Sequence, residues 1–401
     1  MSKDTNIEWA DSSLNLQMGC DGCELRNLKA GINSCYAGTL TDRYGGTNKG
    51  FPKSFEEPVL FLDRIVEMMK WKTLTGKERP KKPWLDGLPR IVFLNDMGDT
   101  FTESLPLDWM AEKCLPMECP KGHKPPQVQF LKKGTHTVHN VIGDPSSGSR
   151  EIVIEEDVIT CSAAGCMKQW KPSSVLDILS RSVDQYLLLT KRPHRMAEFS
   201  KKHPLPPNVW PGTSITSQGN MPRLYDLLKV QGGGPRWLSV EPLLGELKFP
   251  RVLWCRHHQC VEREAVMNET MPCFRGQADL HDMIDWMIVG GESGADARPM
   301  NPDWARSLKD YCEGNSIPFF MKQMDKVQPI PDDLLVRQMP KFPIIIGEGM
   351  ALDLSKSDVV VEQTIRMHKG ASLIDPKRAV IGKLETINCE VKDVTIQRER
   401  K

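Results

Sequence analysis

Along the first 325 residues, short apolar segments recur that each end in a small group of polar or charged residues, and helix-like stretches separate them. Ile91 to Leu94 leads to Asn95, Asp96 and Asp99. Tyr186 to Leu189 leads to Thr190, Lys191 and Arg192, and Val209-Trp210 leads to Thr213 and Ser214. Trp237 to Val240 leads to Glu241, Trp286 to Val289 to Gly290-Gly291-Glu292-Ser293, and Ile317 to Met321 to Lys322-Gln323. The stretches Glu56 to Trp71, Asp108 to Lys113, Ser173 to Arg181, Arg195 to Lys202, Met221 to Val230 and Pro302 to Glu313 read as helices, the last with Asn301 as N-cap and Pro302 at the first helical position. Continuous apolar runs are what parallel strands buried on both faces present, and intervening helices supply crossovers of one hand. The pattern predicts an α/β protein with a partial parallel β/α (TIM-like) barrel, whose strand-end residues converge on one mouth. An open doubly wound sheet would spread the same residues along an edge.

Two segments interrupt the alternation. Residues 115–172 carry Pro120, Pro125, Pro126, a Gly/Ser/Pro loop and a β-like run from Glu151 to Thr160, and are expected to be an insertion with its own small fold. Residues 251–280 form a second insertion, rich in Arg, His and Cys. The barrel is expected to span 1–325, and residues 326–401, with short β-like pieces and no assignable motif, to be a C-terminal appendage.

The 53 Lys and Arg nearly cancel the 52 Asp and Glu, so a net charge of +1 gives no global steering toward nucleic acid, although a local basic groove can sit on a neutral protein. There is no apolar run long enough to span a bilayer and no basic-then-apolar leader in MSKDTNIEWADSS, so no membrane association and a cytoplasmic location are expected. In a reducing compartment clustered cysteines bind metal more often than they form disulfides. Of the 12 cysteines, ten fall into three groups.

The first group is Cys20-x2-Cys23, then eleven residues, then Cys35-Tyr36-Ala37. Three thiolates can bind a four-iron cluster with one iron left open, whereas structural zinc closes with four protein ligands. A zinc knuckle completed from elsewhere, or two structural cysteines plus a third unrelated one, remain alternatives. The second group, Cys119-x3-His123 and Cys161-x4-Cys166, matches one tetrahedral zinc site that could pin the 115–172 insertion, with Cys114 as a rival for His123 and buried reduced cysteine as the plain reading. The third, Cys255, His257, His258, Cys260 and Cys273, has ligands for another zinc, although Arg251, Arg256 and Arg263 equally suit a phosphate-contacting loop. Cys312 and Cys389 are isolated and read as core residues.

Asn6-Ile7-Glu8-Trp9, the stretch Cys20 to Tyr44 with its Cys-Tyr-Ala, Val92 to Phe101, Leu189-Thr190-Lys191-Arg192-Pro193, Asn208-Val209-Trp210, Ser239 to Leu244, Ile288 to Gly294 and Phe320-Met321-Lys322-Gln323 together resemble a phage-associated family of unknown function with a three-Cys motif, which is itself similar to radical S-adenosylmethionine enzymes. The resemblance implies a barrel of the radical S-adenosylmethionine type and a [4Fe–4S] cluster on Cys20, Cys23 and Cys35, with Tyr36 beside it and S-adenosyl-L-methionine chelating the open iron. It implies reductive cleavage to a 5′-deoxyadenosyl radical, hydrogen-atom abstraction from substrate, an external one-electron donor, and room for a partner enzyme. The phage context suggests a nucleic-acid or nucleotide substrate and work in the host cytoplasm. Most radical S-adenosylmethionine enzymes have Cys-x3-Cys-x2-Cys, and the resembled family tends to place a Cys shortly before its Cys-Tyr-Ala; the eleven-residue gap here departs from both.

Among the strand-end residues, Gly290, Gly291 and Glu292 could contact S-adenosylmethionine through close backbone approach and a carboxylate, or make a strand-to-loop turn with a solvated Glu. Lys191 could bind a carboxylate or phosphate, while Arg192 equally suits a surface salt bridge. Asn95, Asp96 and Asp99 could orient a ligand or serve as turn residues, Glu241 shares that ambiguity, and Lys322 is a candidate anion contact. Lys191, Glu292 and Lys322 are the expected catalytic residues. Trp9, Trp210, Trp237 and Trp286 read as core or barrel lining. The competing functional readings are a non-catalytic, zinc-stabilised nucleic-acid-binding phage protein and, with less support, a metal-dependent hydrolase using carboxylates at the mouth.

Overall fold

The computed structural model describes residues 2–112, 173–250, 283–293, 297–325 and 328–341, together with the backbone of further strands outside those ranges. Seven strands form one all-parallel sheet: β1 Ser12–Leu14, β2 Ile91–Leu94, β3 Gln185–Thr190, β4 Val209–Ser214, β5 Trp237–Val240, β6 Trp286–Gly290 and β7 Phe319–Gln323. Their spatial order is their chain order. A doubly wound sheet reverses direction at a switch point; this one never does, and the sheet curls into a half-barrel. The partial barrel expected from the sequence is therefore the architecture found.

Alternation along each strand divides the sheet's two faces. Ile91, Phe93, Leu187, Trp210, Trp237, Trp286, Ile288 and Phe320 point to one side and form a single buried cluster with Trp9, Leu85 and Leu88. Four tryptophans meet there: Trp9 lies 5.4 Å from Trp237 and 6.4 Å from Trp286, and Trp210 lies 6.3 Å from Trp286, ring centre to ring centre. Gly212 makes this possible, because a Cβ on it would sit 2.3 Å from the Trp237 indole. The opposite face, with Val92, Tyr186, Leu188, Leu238, Met287 and Met321, is equally buried.

The helices are α1 Tyr36–Tyr44, α2 Asp63–Met68, α3 Val175–Ser180, α4 Pro193–Lys202, α5 Pro222–Leu227 and α6 Pro302–Gly314. Asn301 caps α6 as expected, its side chain accepting from the Asp303 amide at 2.9 Å. Residues 108–112 make hydrogen-bonded turns rather than the expected helix, and α1 was not foreseen. The free edge of β7 is covered by residues 334–338: Met321 N donates to Val336 O at 2.8 Å and Gln338 N to Phe319 O at 3.0 Å. The segment beyond 325 thus begins as part of the half-barrel.

Asp108–Ile178 forms a compact unit of its own. Its backbone contains a three-stranded antiparallel sheet, Gln169–Trp170, Val158–Cys161 and Val128–Leu131, and a hairpin pairing Gly134–His139 with Ser149–Ile154. The side chains of the two expected zinc groups, Cys119, His123, Cys161, Cys166 and Cys255, His258, Cys260, Cys273, lie outside the described residues. No helix among the described residues is long and apolar enough to cross a membrane.

Candidate functional site

Because all seven strands run the same way, their carboxyl ends share one rim, and the loops leaving β1, β2 and β3 enclose a cavity of about 200 Å³ there. Cys20, Cys23 and Cys35 all line it, with Tyr36, Asn95, Asp96 and Lys191. Phe93, Leu189 and Ser214, from the inner face of the sheet, also line it, and Phe93 packs 4.7 Å from Trp9. The tryptophan cluster is thus the layer directly beneath the site.

Each of the three sulfurs accepts a backbone N–H at 3.4 Å, Cys20 from Gly22, Cys23 from Leu25 and Cys35 from Gly38. Cys35 does so as the N-cap of α1. Arg192 adds a contact from its guanidinium to Cys20 Sγ at 3.5 Å while donating to Gly22 O at 2.9 Å and pairing with Asp99 at 3.2 Å. N–H donors aimed at sulfur stabilise thiolates and tune iron–sulfur clusters. Without a metal, Cys20 and Cys35 are poor thiolates. Burial, reinforced by the Asp99 carboxylate and opposed by Arg192, pushes the Cys20 thiol up to about 11, and burial also raises Cys35.

Three arginines fix the cysteine loop. Arg26, almost wholly buried, bonds Glu56 at 2.7 Å, Asn33 at 2.8 Å and both oxygens of Asp42 at 2.9 Å, tying the loop to α1. Gly38 has no Cβ because one would lie 2.5 Å from that guanidinium. Arg223 on α5 grips both oxygens of Glu24 at 2.9 and 2.8 Å. Burial alone would raise the Glu24 carboxyl, but Arg223 and the nearby Lys191 charge outweigh it and hold Glu24 at about 2. Arg192 is the third. Asp99 in turn orients Arg192's segment, accepting from Thr190 Oγ1 at 2.6 Å and Lys191 N at 3.0 Å.

Other predicted residues have structural duties. Asn95, at φ 63°, spends its side chain on Gln17 N at 3.1 Å and Thr100 at 2.6 Å. Glu292 is held by Arg298 at 2.6 Å and lies outside the cavity lining. Gly291 is required by the protein itself, since a Cβ would lie 2.1 Å from Met324 O, and Gly290 faces Glu241 Oε1. Lys322 pairs with Glu241 at 2.8 Å across β6; burial depresses its ammonium, but the Glu241 charge more than offsets this and the net shift is upward. Two lining groups remain available. The Lys191 ammonium makes no ion pair or hydrogen bond among the described residues, and Asp96 Oδ1 is buried without a partner.

Among the described residues, no three His, Cys, Asp or Glu converge as ligands to a single ion. The three cysteines line one cavity without converging on a single point.

The chain matches the family described as Protein of unknown function (DUF5131) over residues 4–158 and 168–371. It belongs to that family. No curated protein and no solved structure matches the chain. The match takes in all three cysteines, the seven strands and the arginines that fix the loop, so the site lies within the body of the DUF5131 family. The DUF5131 chain's Arg26, Glu24 and Arg223 were not singled out from sequence. The available signal was the pair of charges that follows the second cysteine in Cys23-Glu24-Leu25-Arg26.

Proposed function

We propose that this DUF5131 protein is a radical S-adenosylmethionine-type enzyme, with a [4Fe–4S] cluster held by Cys20, Cys23 and Cys35. The observation that carries the reading is the meeting of three N–H-bonded sulfurs on one cavity at the carboxyl rim of an all-parallel half-barrel. When bound, the cluster and S-adenosylmethionine would supply a 5′-deoxyadenosyl radical for hydrogen-atom abstraction, given one electron from an external donor. The chain's own part is positioning. Arg26, Arg192 and Arg223 hold the sulfurs in place, and Lys191 and Asp96 offer one positive and one negative group, which matches the amino-acid end of S-adenosylmethionine. The Trp9, Trp210, Trp237 and Trp286 layer closes the cavity's floor against water. The substrate class is nucleic acid or nucleotide. Work in a host cytoplasm is part of this proposal and rests on the resemblance to a phage-associated family alone.

Anaerobic reconstitution with iron and sulfide tests this. About four irons per chain, lost in a Cys20→Ala, Cys23→Ala, Cys35→Ala variant, and formation of 5′-deoxyadenosine with dithionite and S-adenosylmethionine are expected. Zinc at the three cysteines with no iron would overturn the proposal and favour a metal-pinned binding protein.

A further inference from the structure

The backbone at Cys20 has anchors besides Arg192. Gly19 N donates to Met97 O at 3.0 Å, Cys20 N to Phe55 O at 2.7 Å and Asp21 N to Thr102 Oγ1 at 3.0 Å, so three consecutive amides tie it to three other segments. Arg192 brings a charge as well. Its guanidinium is only 12% exposed; Nη2 donates to Gly22 O at 2.9 Å, and Nη1 lies 3.5 Å from Cys20 Sγ and 3.2 Å from Asp99 Oδ2. Asp99, 9% exposed, is held in turn by Phe101 N and Thr190 Oγ1 on one oxygen, at 3.0 and 2.6 Å, and by Lys191 N on the other at 3.0 Å. A guanidinium and a carboxylate thus meet at one sulfur, sheltered from solvent, where charges act through a lower dielectric than in water.

The other two sulfurs have no such neighbour. Among the described residues Cys23 and Cys35 accept only from backbone amides, those of Leu25 and Gly38. The Lys191 ammonium lines the same cavity but donates to no sulfur among the described residues. Glu103 also approaches Arg192, at 3.8 Å, but is 54% exposed and therefore screened. Adding an electron to a cluster carried by three thiolates adds one negative charge at the sulfurs. A cation donating to a ligand sulfur favours the reduced form, and an anion beside it favours the oxidised form.

We propose that Arg192 raises, and Asp99 lowers, the reduction potential of a cluster bound at Cys20, so that the pair sets how readily the site takes an electron from its donor. This deepens the function proposed above and rests on it. The experiment is a redox titration, followed by electron paramagnetic resonance, of the full-length protein reconstituted anaerobically with iron and sulfide, with iron counted in every sample. Dithionite supplies the single electron, and S-adenosylmethionine is left out so that turnover does not enter the reading. Arg192→Gln should keep the wild-type iron content and shift the reduction equilibrium about ten-fold toward the oxidised form, about 59 mV for one electron. Asp99→Asn should shift it the other way. A loosened loop would instead lower the iron content or move both potentials in one direction. If one variant fails to hold iron, the sign of the shift in the other decides. Unchanged potentials, shifts of the same sign, or loss of iron from both variants would overturn this inference and leave the function standing. A wild-type protein that takes up no iron would overturn both.

Discussion

Gly212 lies in the middle of β4, where glycine ordinarily weakens a strand, and its explanation is the Trp237 indole that occupies the space of its missing side chain. Gly212→Ala should therefore force the tryptophan layer apart and cost about 1–3 kcal/mol, read as a lower urea midpoint at unchanged slope. Asp184, at the opposite end of the sheet, carries a different kind of strain. It is buried with one carboxylate oxygen unpartnered, and Arg90 approaches no closer than 3.9 Å. Burial raises its carboxyl from 3.8 to about 6; Arg90 and Arg79 oppose the shift and Asp11 adds to it. Between those two values the folded state binds more protons than the unfolded chain, so stability falls as pH rises through the window and levels off above about 6. The loss is at most about 3 kcal/mol. Asp184→Asn should remove this slope from a pH series of denaturation midpoints; an unchanged slope would assign the dependence to another group.

At the scale of elements, the cysteine loop is ordered by charged side chains that arrive from distant parts of the chain. Arg223 reaches Glu24 across 199 residues and Arg192 reaches Gly22 across 170. This explains which parts of the site were legible in the sequence. The strands were legible because burial on both faces writes continuous apolar runs, as in Ile91 to Leu94 and Trp286 to Val289. β1 was not, because its Ser12-Ser13-Leu14 is polar yet buried, with Ser12 Oγ donating to Lys3 O at 2.6 Å. The cysteines were legible as a group by spacing, but a salt bridge between residues far apart leaves no periodic trace, so Arg192 looked like a surface residue and Arg26 like any charge. Conversely, Gly290-Gly291-Glu292 looked like a ligand loop, and its glycines answer to Met324 and Glu241 instead. Arg26→Lys tests the element directly. An ammonium cannot span Glu56, Asn33 and Asp42 as the planar guanidinium does. Backbone hydrogen exchange over residues 26–33 should speed up about ten-fold while exchange in β2 to β6 stays unchanged, and fewer irons should be retained after reconstitution.

At the scale of the whole molecule, a half-barrel has an edge problem that a closed barrel lacks, since its outermost strands present unpaired backbone groups that invite association. β7 meets this with residues 334–338. Besides the bonds from Met321 and Gln338, the Gln338 side chain accepts from Phe319 N at 2.9 Å and its carbonyl accepts from Trp286 Nε1 at 2.8 Å. Leu334 is fully buried, and Arg337 lies 4.2 Å over the Trp84 ring. This strap therefore closes the edge and also anchors one member of the tryptophan layer beneath the cysteine cavity. A chain ending at Asp325 would keep every strand and every cysteine of the site, but would lose these bonds and bare both the β7 edge and the face of Phe320. It should sediment as aggregates, whereas a chain ending at Lys341 retains the strap and should stay monodisperse relative to it. Equal behaviour of the two in analytical ultracentrifugation would mean that the edge is protected by something other than residues 334–338. Should the shorter chain remain dispersed but lose its near-ultraviolet tryptophan signal, the strap's main duty would be to order the aromatic floor rather than to guard the edge.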